Sequence, residues 1–344
     1  MPLTLPGTFA TILPIDDQEG SVAVTIRQVA QAAGVSVSTV SRAFTAPDQV
    51  QPQTLQRIRD AAAKLGYTPN PAARSLRGGK TESLGLIIPD ITNPFFPPIF
   101  KAMQARARRL GYTVLAADTD ERESDELETI TAVSKRVDGM ILWASTLSED
   151  RLAELAETMP VVLVNRHVPG IPEIQISLTA GISQAAEHLK AYGHTRCVFV
   201  NGSRPELSRG KSIREAFEAH DLSLVEFGPY EPRFETGVHA ATLVTSSDAT
   251  AVLAHNDLVA LGVLHQLAKL GVDVPRDVSV IGIDDTLLAE TSTPSLTTIR
   301  ISAQELATHA ADLLLDTIGG RAGGRVVEIG SRLIPRSSTG PAGR

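Results

Sequence analysis

Residues Thr25 to Phe44 most limit what this chain can fold into: two short amphipathic helices turned on a single glycine. Thr25 can accept from the exposed amides of a first turn, and Gln28 can reach back, a capping-box pattern. Ile26, Val29, Ala30 and Ala33 form an apolar stripe at helical spacing. Gly34 takes a tight turn that a side chain would obstruct. Ser36 then caps a second helix that buries Val37, Val40 and Ala43 or Phe44. Its outward residues are Ser38, Thr39, Ser41 and Arg42, short hydroxyls with one guanidinium. That is the helix-turn-helix pattern that enters a DNA major groove. An ordinary helical hairpin shares the apolar spacing, so the neighbouring residues have to decide.

They favour nucleic acid. Pro52 to Leu65 predicts a third helix, with Leu55, Ile58, Ala62 and Leu65 inward and Gly66 as its stop. Asn70-Pro71 restarts a helix over Ala72 to Leu76, too short to hold alone in water, with Ala73 and Leu76 as its apolar handles. Residues 21–80 carry eight Lys or Arg against two Asp, a net +6, while the whole chain is at −7. A basic module on an acidic body concentrates attraction for phosphate at one end.

From Ser83 onward strand and helix patterns alternate. Continuous apolar strands are expected at 84–88, 114–117, 139–143, 161–164, 197–200, 251–254 and 278–283, with helices between them. This reads as a doubly wound α/β body of two lobes with about five or six strands each. Ligands of such sheets sit outside the carboxyl ends of the strands. The rule nominates Asp90, Asn93, Phe95, Phe96, Asp118, Asn165, Arg166, Asn256, Asp257, Asp284 and Asp285. Carboxylates and amides that fork to neighbouring hydroxyls, beside an aromatic ring, suit a hydroxyl-rich ligand. Asn93-Pro94 and Asp285 also read as turn residues.

Other function classes lack their residues. No Gly-x-Gly-x-x-Gly offers a nicotinamide site, and Gly210-Lys211-Ser212 has Pro205 where a phosphate loop needs its first glycine. The eight histidines are scattered without metal-ligand pairing, and His188 reads as structural. No serine sits in a nucleophile elbow. No cofactor, metal or catalytic residue is therefore expected, and no enzyme. The single cysteine, Cys197, excludes an internal disulfide and fits a reducing cytoplasm. No apolar run approaches membrane-spanning length, and residues 1–23 read as a disordered extension rather than a secretory signal.

Val24 to Leu76 resembles the DNA-binding domain of the lac repressor (LacI-type) family of bacterial transcription regulators. The resemblance rests on Val-Ala-Gln-Ala-Ala-Gly-Val-Ser, Thr39-Val-Ser-Arg42, Leu65-Gly-Tyr-Thr-Pro-Asn70 and Ala73-Arg-Ser-Leu76. It continues through Pro89 to Phe96, Val137-Asp-Gly139, Glu187-His-Leu189, Asn256-Asp257, Gly282-Ile-Asp-Asp285 and Leu296-Thr-Thr-Ile299. It implies an all-α helix-turn-helix headpiece plus an α/β, periplasmic-binding-protein-like, two-lobed effector domain. The implied division is a helix-turn-helix domain over 24–69, a hinge helix and linker over 70–80 and an effector and dimerisation domain over 81–340. Three crossovers, near Ser177, Ser295 and Arg325, would give an N-lobe of about 81–177 and 297–324 and a C-lobe of about 178–295 and 325–340.

The expected function is a cytoplasmic, nucleoid-associated regulator, a repressor acting as a homodimer on pseudo-palindromic operator DNA. Val37, Ser38 and Arg42 would touch base edges, Arg42 suiting a guanine and Val37 a thymine methyl. Thr25, Thr39, Ser41 and Asn70 would bind phosphates. Ala73 and Arg74 join them on the hinge, and the resemblance implies that Leu76 wedges between central base pairs from the minor groove. The polar, glycine-rich tail from Arg336 shows no leucine heptad, which favours a dimer.

The effector set is Asn93, Phe95, Phe96, Asp118, Asn165, Arg166, Lys211, Asn256 and Asp284, for a sugar or sugar derivative. Some positions depart from the family pattern. Asn165 stands for an aspartate, Ser177 for an aspartate or asparagine, and Ile213 for an arginine that clasps the effector. Arg209, Lys211 or Arg214 could compensate, though helical spacing places them on other faces; Tyr230 or Phe234 could replace the aromatic missing near Pro232. A nucleoside or purine effector is the alternative, and a soluble solute-binding receptor a further one.

Overall fold

The computed structural model describes residues 24–67, 80–120, 122–202 and 209–343, and divides into a small unit ending at Gly79 and a large one from Lys80 to Arg344. The expectations for residues 1–23 and for Asn70, Ala73, Arg74 and Leu76 lie outside the described residues.

The small unit has helices α1 (Ile26–Ala33), α2 (Val37–Thr45) and α3 (Pro52–Leu65), with one 3₁₀ turn at Pro47–Gln49. The Thr25 amide donates to Gln28 Oε1 at 2.7 Å, Gly34 closes α1 at φ 65°, and Ser36 Oγ accepts from Thr39 N at 3.2 Å. Its core is Val29, Ala30, Ala33, Val40, Ala43, Val50, Ile58, Ala61 and Ala62. Leu65, expected inward, is 38% exposed, because α3 runs past this core for its last turn; Ala61 fills that side instead.

The large unit alternates β1 (Ser83–Ile88), α4 (Phe96–Arg109), β2 (Thr113–Asp118), α5 (Glu123–Ser134), β3 (Gly139–Trp143), α6 (Glu149–Thr158), β4 (Val161–Val164) and β5 (Glu173–Ile176). It continues with α7 (Thr179–Ala191), β6 (Arg196–Gly202), α8 (Gly210–Ala219), β7 (Ser223–Tyr230), α9 (Phe234–Thr245), β8 (Ala251–Ala254), α10 (Asp257–Lys269), β9 (Ser279–Asp284), α11 (Leu287–Thr291), β10 (Thr297–Ile301), α12 (Ala303–Ile318), β11 (Val326–Ile329) and β12 (Ser331–Ile334). Two six-stranded sheets result, ordered β11-β5-β4-β3-β1-β2 and β12-β10-β9-β8-β6-β7. All neighbours run parallel except β10 and β12. Central strands β3, β4, β8 and β9 are buried at every residue, as strands covered on both faces must be.

The chain changes lobe between β5 and α7, between β10 and α12, and between β11 and β12. The second and third changes therefore fall about Ser302 and Gly330, later than the expected Ser295 and Arg325. The proline turn before Ser295 only returns the chain inside the C-lobe, where Thr297 to Arg300 pair with Ile281 to Asp284. Strands β5, β7, β10, β11 and β12 and helices α9, α11 and α12 escaped the sequence reading. Edge strand β7 is exposed at every residue but Leu224 and Phe227, which are half-buried, and has no continuous apolar run. Helix α9 packs against α10 so closely that a β-carbon on Gly237 would collide with the Val259 carbonyl, and one on Gly262 with the Phe234 carbonyl.

The polar tail is part of the C-lobe. Ser338 Oγ donates to the Val280 carbonyl at 2.6 Å, Gly340 N donates to Ser279 Oγ at 3.1 Å, and Ala342 N to the Tyr192 carbonyl at 2.8 Å. Among the described residues no helix is long and apolar enough to cross a membrane.

Candidate nucleic-acid interface and cleft

On the small unit, α2 buries Val40 and Ala43 and leaves Ser38 and Arg42 exposed, with Val37, Thr39 and Ser41 half-buried. The hydroxyls of Ser36, Ser38 and Thr39 join in a chain, both links 2.8 Å, at the start of the helix. The Arg42 side chain has no hydrogen-bond or ion-pair partner among the described residues, so its five donors are available. Thr25 is exposed at the start of α1, its hydroxyl donating to Gln28 Oε1 at 3.0 Å. Arg27, Arg57, Arg59 and Lys64 are exposed on the same unit. Hydroxyl groups at a helix start and an unpaired guanidinium one turn on can meet phosphates and a base edge together.

The large unit holds a cleft of about 470 Å³ at the carboxyl ends of both sheets. One wall is apolar. Phe95, Phe96 and Trp143 meet edge to face, with ring centroids 5.2 to 5.6 Å apart. Asn93 and Asn165 flank them. Asn93 Oδ1 accepts from Phe95 N at 3.0 Å and Asn165 Oδ1 from Ile176 N at 2.9 Å, which leaves each amide nitrogen free of these bonds.

The opposite wall is polar and deeply buried. Asn256 caps α10 by accepting from Val259 N at 2.9 Å, while its Nδ2 donates to the Pro232 carbonyl at 3.2 Å. Asp284 ends β9 at φ 123°, nearly buried, with its carboxyl lining the cleft. Burial raises this carboxyl well above the ordinary range; the Arg209 cation opposes the rise and Asp257 adds to it. Asp257 sits behind it and accepts from Thr286 N at 2.7 Å, Thr286 Oγ1 at 3.0 Å and Thr298 Oγ1 at 2.5 Å. Burial still pushes it up to about 6.

Arg209 donates from Nη1 to the His255 carbonyl. Its own pKa is lowered by burial and held up by Asp284 and Asp257. His255 Nδ1 accepts from Gly202 N at 3.1 Å, so the ring proton lies on Nε2. Burial first, and then the Arg209 cation, hold that ring well below its ordinary pKa and therefore neutral.

Of the nine nominated effector residues, Asn93, Phe95, Phe96, Asn165, Asn256 and Asp284 line this cleft. Asp118, Arg166 and Lys211 do not. Asp118 spends both carboxylate oxygens on backbone amides, of Ile91 at 2.5 Å and Asp120 at 2.7 Å. Arg166 follows Asn165 and points the other way, its Nη2 3.4 Å from the Leu147 carbonyl. Lys211 is exposed on α8, 3.8 Å from Glu215 Oε1. Asp285 is likewise structural, bonded to Arg300 and to Arg336 Nη2.

The sequence reading missed Trp143, Gln175, Arg233 and His255, which also line the cleft. Arg209 was set aside on helical spacing, yet it precedes Ile213 by four residues, one turn, and so shares its side.

A family model for bacterial regulatory proteins of the lacI family matches residues 25–70, and one for the periplasmic binding protein-like domain matches 186–339. The HTH-type transcriptional repressor CytR of Escherichia coli (strain K12) is 32% identical over 92% of this chain and 96% of its own. The chain belongs to the lacI family. This LacI-family transcriptional regulator also superposes on a lac repressor dimer bound to operator and the anti-inducer ONPF, with a TM-score of 0.79. That match is at 25% identity, over 92% of this chain and 99% of that one. A LacI-family regulator from Enterococcus faecium with bound ribose covers 75% of this chain and 99% of its own, at a TM-score of 0.66 and 26% identity.

Two departures of this LacI-family chain take physical form. Ile213 is fully buried in the core, and the Arg209 guanidinium enters the cleft one turn earlier. Tyr230 and Phe234 do not line the cleft; Phe234 leans on His265 at 5.5 Å between centroids, and the N-lobe supplies the rings instead.

Proposed function

We propose that this regulator is a cytoplasmic repressor that binds a pseudo-palindromic duplex as a homodimer, releases or grips it according to an effector in the cleft, and catalyses no reaction. The observation that carries the DNA half is the unpaired Arg42 guanidinium beside Ser38 on the outer face of α2. Val37, Ser38 and Arg42 read base edges, and Thr25, Thr39 and Ser41 hold phosphates. The lac repressor dimer bound to operator supports the same assembly here.

The effector is hydroxyl-rich and uncharged. Asp284 offers acceptors deep in the cleft, Arg209 and the amides offer donors, and three rings cover an apolar face. Asp284 and Asp257 stand beside the buried Arg209 guanidinium and offset part of its charge, which disfavours an acidic effector there. A sugar is the first reading, in line with the ribose-bound relative. A nucleoside is the second, favoured by the breadth of the wall of Phe95, Phe96 and Trp143.

Selection of duplexes from a random pool by the purified chain at moderate salt tests the first half. A symmetric consensus is expected, and enrichment of no sequence would overturn it. Melting temperatures with ribose, cellobiose, cytidine and ribose 5-phosphate test the second. A rise with a neutral compound is expected; a rise with the phosphate ester alone contradicts the charge argument.

A further inference from the structure

The lips of the cleft carry an ion pair between the lobes. Asp120, just beyond β2 in the N-lobe, adopts a left-handed backbone with φ 47°. Its amide donates to Asp118 Oδ1 at 2.7 Å, and Asp118 Oδ2 accepts from Ile91 N at 2.5 Å, which ties this turn to the loop after β1. This holds the Asp120 backbone in place, and its carboxylate also faces Arg122 Nη2 on its own lobe, 3.2 Å from Oδ2. Arg233, which precedes α9 in the C-lobe, lines the cleft and donates from Nη2 to Asp120 Oδ1 at 3.3 Å. Its Nε lies 3.1 Å from Glu231 Oε2 on its own lobe. Asp90, on the loop after β1, adds a second N-lobe negative charge to its field. No other ion pair among the described residues joins the lobes.

We propose that the Asp120–Arg233 pair is a latch across the cleft mouth that biases the two lobes toward their closed arrangement. It goes beyond the effector reading and does not depend on the effector's identity. The Arg233 and Asp120 side chains are 41% and 50% exposed, so water and salt reach the pair and its strength is that of a surface contact. Pairs of this kind shift an equilibrium by roughly two- to five-fold. That range is small enough for ligand contacts to override and large enough to tune the closed fraction of the empty protein.

Trp143 is the chain's single tryptophan, and it lines the cleft at 8% exposure, so it reports opening. The test is acrylamide quenching of Trp143 in the full chain, for the natural protein, R233M, D120N and the double variant, at 20 mM and 1 M NaCl. At low salt each single variant should be quenched about two- to five-fold faster than the natural protein, and the double variant no faster than the singles. High salt should raise quenching of the natural protein and leave the variants unchanged. Equal quenching in all four proteins, or effects that add in the double variant, would overturn the latch.

Discussion

Asp257 is the clearest place to test the electrostatics of the cleft wall. Its carboxyl is buried and rises from 3.8 to about 6, while Thr286 and Thr298 donate three hydrogen bonds to it. A carboxyl raised in the folded state binds its proton more tightly there than in the unfolded chain. Its stabilising contribution is therefore complete below pH 3.8 and is lost as pH rises through about 6. Between pH 4.5 and 7 the loss is about 2 kcal/mol, from roughly 1.4 kcal/mol per unit of pH where only the unfolded group is ionised. Asp257→Asn removes the titration and keeps the shape, with its amide nitrogen turned toward Thr298 Oγ1. Urea unfolding of both proteins across this range gives the stability difference directly. Natural minus variant should fall by about 2 kcal/mol from pH 4.5 to pH 7. Asp284 titrates with Asp257 and would steepen the fall. A difference that stays flat, or that climbs with pH, refutes a protonated Asp257 in the folded protein.

Three further outcomes are expected. Gly262→Ala forces a methyl into the Phe234 carbonyl and should cost about 1–3 kcal/mol in thermal or urea unfolding, whereas Gly330→Ala, with open space around it, should be tolerated. Asp285→Ala strips Arg300 and the mostly buried Arg336 of their shared carboxylate and should cost about 2–4 kcal/mol, read as a lower urea midpoint. Arg42→Ala should relax preference at one base pair of the selected duplex by about 1–3 kcal/mol with little change in salt slope; an equal loss on every sequence would make Arg42 a phosphate contact.

The helical head was legible because its signals are local. Thr25, Gly34, Ser36 and Gly66 punctuate helices whose apolar stripes need no partner from elsewhere in the chain. Central strands were legible for a similar reason, being short continuous apolar runs. What failed was whatever depends on distant residues. Strand β5 is Glu-Ile-Gln-Ile and becomes a strand by pairing with β4 and β11. The first lobe change, near Ser177, was placed correctly, but the second was misplaced because a proline turn looks the same within a lobe as between lobes. In the cleft, the strand-end rule found Asn256 and Asp284 but also Asp118, since position at a strand end says nothing of which amides a carboxylate will serve. His255 carried no sequence signal, because only its pairing with Gly202 and Arg209 gives it a task.

The chain passes between the sheets three times, so neither lobe is a continuous stretch of sequence. Helix α12 and strand β11 complete the first sheet's layer, and they arrive only after the second sheet's five parallel strands have been made. During synthesis the N-lobe must therefore wait, with the surface meant for α12 uncovered, until more than three hundred residues have left the ribosome. Cutting the gene between lobes would leave two unfinished halves, and the interval before closure is when a chaperone matters most to this protein.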